Sequence, residues 1–139
     1  MVQLIIGEKG KGKTKIILEN ANAAAEKANG NIVFVDADSS HMYDLKNTIR
    51  LVNAGEYMIE GADAFAGFIA GIISADHDLE ELFVDRLLIS AKTDAEGAKA
   101  VLAKLDKLAE KYSVKITISV SLTKDQLPDG YSDKVVEAL

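Results

Sequence analysis

The residues with the clearest chemistry are Gly7-Glu8-Lys9-Gly10-Lys11-Gly12-Lys13-Thr14, which satisfy the spacing G-x-x-x-x-G-K-[S/T] at every fixed position. Each residue type has a reason to stand where it does. The glycines tolerate positive φ and let main-chain amides approach phosphate oxygens with no Cβ in the way. The helix expected to begin at Lys13 directs free N–H groups and the positive end of its dipole at the same anion. Lys13 has the reach and charge for β- and γ-phosphates, and the Thr14 hydroxyl is a hard oxygen ligand suited to Mg2+. Gly7, Glu8, Lys9, Gly10, Lys11, Gly12, Lys13 and Thr14 are therefore the expected nucleotide contacts. Lys9 and Lys11 occupy free positions of the pattern and serve equally well as solvated surface cations.

Such a loop needs an acidic partner at the end of an apolar strand. Leu82-Phe83-Val84-Asp85 supplies one, and Asp85 is expected beside the metal, with Thr14 as its protein ligand and Lys13 and Asp85 as the catalytic pair. Asp36, after Ile32-Val33-Phe34-Val35, competes for that role; it or Asp38 also suits a base or substrate ligand. Ser121 follows a third apolar run and is the expected sensor of the γ-phosphate, ahead of Ser119 and Thr123. Arg86 stands where many ATPases carry a water-polarising glutamate, so fast hydrolysis lacks its usual base. Guanine signatures fail: D-x-x-G at Asp85 would need glycine at Leu88, and Thr123-Lys124-Asp125 lacks the N-K-x-D spacing. Adenine nucleotide follows by elimination. Asp76-His77-Asp78-Leu79-Glu80-Glu81 reads as a solvated turn preceding a strand, and His41 as a loop residue on the phosphate side.

Charge supports a single anion site. The 139 residues carry a net charge of -6. Lys9, Lys11, Lys13 and Lys15 against Glu8 make the first fifteen residues locally basic, within an otherwise acidic chain. Four lysines in one loop make a point-like anion site, not the long basic stripe that duplex nucleic acid requires. With no cysteine, disulfides and thiolate metal sites are excluded. The opening apolar run is too short for a leader core, and the longest apolar stretch, 62–75, is shorter than the ~20 residues of a membrane span. The expectation is a soluble cytoplasmic protein with no membrane span.

The elements that must position these residues alternate. Val2 to Ile6 reads as a buried strand, 13–28 as a helix stopped near Gly30, and 32–35 as a second strand. A short edge strand is expected at 49–52 and an apolar helix on Phe65, Phe68, Ile69, Ile72 and Ile73. The strand at 82–84 is extended by Leu87-Leu88-Ile89. Thr93-Asp94-Ala95-Glu96 reads as a capping box opening a helix to Tyr112, and 114–120 as the fifth strand. The tail, 134–139, fits either a strand or a helix. This order predicts one domain over 1–139, an α/β/α sandwich around a mainly parallel five-stranded sheet. Gly7, Asp36, Asp85 and Ser121 then share one edge of it.

These residues resemble the P-loop NTPases, with the RecA-like layout that thymidine kinases share. Gly7 to Thr14, Asp38 to Leu45 and Gly67 to Ile73 are similar to a family of small clostridial-type ATP-binding proteins often catalogued as twitching-motility ATPase-like. The resemblance implies ATP and Mg2+ binding in a P-loop fold. Three activities remain open: a slow ATPase or ATP-driven switch, a nucleotide-sensing module without turnover, and a small kinase of unknown acceptor. A protein partner is compatible with each.

Overall fold

The computed structural model describes residues 1–139. Six strands form one sheet: β1 (Val2–Ile6), β2 (Asn31–Asp36), β3 (Ile49–Asn53), β4 (Leu79–Val84), β5 (Lys115–Val120) and β6 (Val135–Ala138). Their order is β3-β2-β4-β5-β1-β6, and every neighbouring pair is parallel. Parallel strands require crossovers, supplied by α1 (Lys13–Lys27), α2 (Ala62–Ser74), the single turn α3 (Leu87–Ser90) and α4 (Ala95–Tyr112). No helix is long and apolar enough to cross a membrane.

Alternation along the strands feeds two cores. Ile5, Ile32, Phe34 and Phe83 meet Ile17 and Ala21 of α1 on one face. Leu4, Val33, Leu82, Ile116 and Ile118 meet Phe65 and Ile69 of α2 and Val101, Leu102 and Leu105 of α4 on the other. Buried on both faces, the strands read as nearly continuous apolar runs, as parallel sheets require.

The expected count of five strands is corrected to six. The undecided tail is β6, which pairs with β1 and continues through the Leu139 amide donating to the Ile6 carbonyl at 2.9 Å. Leu87-Leu88-Ile89 does not extend β4, because Arg86 adopts φ 54, ψ 61 and turns the chain into α3. Glu80 and Glu81 lie within β4 rather than before it. The α4 cap is Asp94, one residue later than Thr93; its carboxylate accepts from the Gly97 amide at 2.9 Å.

Candidate functional site

Parallel order brings the carboxyl ends of β1, β2, β4 and β5 to one edge, and with them the loop 7–12, Asp36, Asp85 and Ser119. Asp85 lies two strands from β1, with β5 between them. The loop still reaches it: the Thr14 hydroxyl donates to Asp85 Oδ2 at 2.9 Å.

The loop is shaped by three glycines at positive φ: Gly7 (147), Gly10 (86) and Gly12 (97). At Gly7 a Cβ would stand 2.8 Å from the Leu139 carbonyl oxygen, so the strand exit tolerates nothing larger. None of the main-chain amides from Glu8 to Lys15 donates a hydrogen bond within the protein. Helix α1 starts without a side-chain cap and without an acidic residue in its first turn, while Lys11, Lys13 and Lys15 crowd its positive end. Cations there oppose the helix dipole by about 0.3–1 kcal/mol each. By contrast α4 has Asp94 as its cap and Glu96 in its first turn. Free amides and misplaced cations together describe a cradle that an anion would complete.

Lys13 bends back across this cradle. Its Nζ donates to the carbonyls of Gly7 and Glu8, both at 2.9 Å, and makes no ion pair. Burial lowers the ammonium from its ordinary value against the attraction of Asp85. Glu8, Lys9, Gly10, Lys11 and Gly12 are exposed around it.

Behind the loop is a buried polar cluster. Asp85 is fully buried, accepts from Thr14 and from the Ser119 hydroxyl, and lies 3.9 Å from Arg86 Nε. Ser119 Oγ also accepts from the Arg86 amide at 2.7 Å. The β5 hydroxyl that joins this cluster is thus Ser119. Ser121, the residue favoured by its strand-end position, follows the strand and its side chain makes no hydrogen bond. Position along the chain explains the difference: Ser119 is fully buried inside β5, beside the β4 exit, whereas Ser121 lies past the strand end and is only partly buried. The sequence signal was its place in an apolar run: Thr117 and Ser119 are the two hydroxyl residues inside Ile116 to Val120, and Ser119 is the one nearer the strand end.

Arg86, the arginine nearer the loop in the order of the strands, turns instead to the acids of β2. Its left-handed backbone folds the guanidinium over β2, where Nη2 meets Asp36 Oδ1 at 2.8 Å and Asp38 Oδ2 at 3.3 Å. Asp36 is fully buried; Oδ1 also accepts from the Ala37 amide at 2.7 Å, while Oδ2 has no partner. Burial raises the Asp36 carboxyl above its ordinary value, Arg86 and Ala37 oppose it, and Asp85 adds to the rise. Asp38 is held down to about 2 by the Ser40 hydroxyl and amide, with Arg86 contributing. His41 pairs with Asp44 at 3.1 Å rather than with the cluster. Asp76, His77 and Asp78 lie at the opposite edge, where Asp76 accepts from Asn31.

A pH dependence follows. The folded protein holds the Asp36 proton more tightly than the unfolded chain, so the Asp36 contribution is full below 3.8 and is lost as pH rises through the folded value. Asp38 runs oppositely, stabilising above 3.8 and fading as pH falls toward 2. Denaturant midpoints of wild type and Asp36→Asn should therefore diverge in favour of wild type between neutral pH and about pH 4. A pH-independent difference would contradict the raised carboxyl.

No protein-family model matches the chain and no curated protein matches it, so the functional reading rests on the residues of this edge.

Proposed function

We propose that this edge binds the triphosphate of a nucleotide, ATP by elimination of guanine signatures, together with Mg2+, as a slow ATPase or ATP-driven switch of the P-loop class. The observation that carries this reading is the run of unpaired amides from Glu8 to Lys15 closing around Lys13. Such a cradle suits a polyphosphate better than a single carboxylate, because several oxygens are needed to satisfy that many donors. The Thr14–Asp85 hydrogen bond gives Mg2+ a fitting pair of hard oxygen donors. No group of three or more His, Cys, Asp or Glu forms a protein-only cage, which suits an ion that completes its shell with phosphate oxygens and water. Mg2+, when bound, would neutralise phosphate charge. Lys13 would exchange its two carbonyl partners for phosphate oxygens, and Ser119 would hold the Asp85 carboxylate in place.

The order β3-β2-β4-β5-β1, with a strand between those carrying the loop and Asp85, supports the RecA-like branch of that class. Slow turnover follows from Arg86 standing after Asp85 in place of a glutamate and from Asp36 being tied to that arginine. The same pairing favours the second reading, a nucleotide sensor without turnover.

Thermal shift and calorimetry with Mg-ATP, Mg-ADP and Mg-GTP, alongside phosphate release, test both. At a hundredfold excess over Kd, Mg-ATP should stabilise the protein by about 2.7 kcal/mol. Thr14→Ser should keep the Mg2+ dependence of that effect, and Thr14→Ala should lose it. Absence of stabilisation by every nucleotide would remove the reading; stabilisation without phosphate release would select the sensor.

A further inference from the structure

At the β3 edge, far from the phosphate cradle, α2 leaves the sheet incompletely covered. Val33 and Val52 of the sheet, Phe68, Gly71 and Ile72 of α2, and Tyr57 line a groove of about 350 Å³. The Tyr57 and Phe68 ring centroids are 5.5 Å apart. Three strands separate β3 from β1, so the groove lies roughly 15–20 Å from the loop at ordinary strand spacing.

The groove has one free cation. Arg50 is paired in register with Val33 and shares the sheet face of Val52, where an apolar residue would continue the core. Arg86 is pinned by two carboxylates, whereas Arg50 makes no hydrogen bond or ion pair. Asp76 also lines the groove, but its oxygens are engaged by Asn31 at 3.1 and 3.0 Å and by the Asp78 amide at 3.0 Å. An anion would therefore be drawn to Arg50 and repelled from the Asp76 end, which sets its orientation.

Apolar walls, an aromatic pair and one unpaired cation in a hollow of this size match a small molecule with a flat apolar body and a single negative head. We propose that the groove binds a small aromatic carboxylate, its ring over Val33 and Val52 beside Tyr57 and Phe68, its carboxylate on the Arg50 guanidinium. Bidentate pairing of guanidinium with carboxylate supplies direction as well as affinity. Gly71 lines the hollow and a Cβ there meets nothing within 4 Å, so a larger side chain at this position has room to occupy the groove without disturbing the helix.

Two probes differing only in charge, 2-naphthoate and 2-naphthamide, test this by fluorescence titration; the chain has no tryptophan to obscure them. Wild type should bind one naphthoate, with the amide about tenfold weaker. Arg50→Gln should bring naphthoate to the level of the amide and leave the amide unchanged. Gly71→Leu should abolish both while keeping or raising Tm, since leucine is the better helix former. Failure of wild type to saturate at millimolar naphthoate would overturn the proposal, as would naphthoate binding indifferent to Arg50→Gln or Gly71→Leu. So would a wild-type dimer in sedimentation that Gly71→Leu dissolves, which would make the face a contact between two copies of the chain.

Discussion

Lys13→Ala should abolish stabilisation by Mg-ATP while leaving the nucleotide-free protein within about 1 kcal/mol of wild type. The two effects separate because Lys13 occupies an unfavourable position before any ligand arrives. Lys13 is a buried residue, its ammonium carries no carboxylate partner, and it is satisfied only by two carbonyls of its own loop. Removing it costs two hydrogen bonds but relieves the desolvation of a charge, and these oppose each other. With phosphate present the balance changes: a charge-assisted contact is lost from the cradle, weakening nucleotide on the order of 100-fold. Phosphate release should fall to background. Calorimetry of both proteins with Mg-ATP reads the first effect and thermal unfolding without nucleotide reads the second. A Lys13→Ala protein that binds Mg-ATP as wild type does would remove Lys13 from the site.

The second large effect is on the fold. Asp36→Ala should destabilise the protein by about 3 kcal/mol, because it strips a half-buried guanidinium of its principal partner. For a domain of this size that corresponds to a fall in Tm of about 10 °C. The αL backbone of Arg86 sharpens the effect, since the ion pair to Asp36 and the amide bond to Ser119 hold that conformation together. Asp36→Ala combined with Arg86→Met should recover most of the loss, as apolar replacement of a whole buried pair removes both desolvation terms. If the double variant is as unstable as the sum of its parts, the pair is not coupled and the two residues act separately.

Much of this edge was legible in residue order. The conformation of Gly7 to Thr14, on which the proposed phosphate cradle rests, was legible because its requirements are local: positive φ at glycines, a helix start and a lysine within one loop. Asp85 was legible for a related reason, an apolar strand ending in an acid, and the Thr14 contact brings the two together across β5. Ser119 against Ser121 was not legible from strand ends alone. The end of β5 decides which hydroxyl is buried: Ser119 lies inside the strand and Ser121 just past it, and where the strand stops is fixed by its pairing with β1 and β4.

Other features exist only in three dimensions. The tail became β6 because β1 had an open edge to pair with, a fact about a neighbour 130 residues away in sequence. Leu87-Leu88-Ile89 is as apolar as a strand, yet the turn at Arg86 made it a helix, and the same turn carried the guanidinium onto Asp36 and Asp38. The chain by itself determined the loop, its cations and the alternation of strands and helices, since these depend on neighbours within a few residues. Tertiary structure decided which acids share one arginine, which serine meets Asp85 and where Arg50 is left without a partner. Those outcomes depend on the order of strands in the sheet, which brings together residues that local spacing cannot relate.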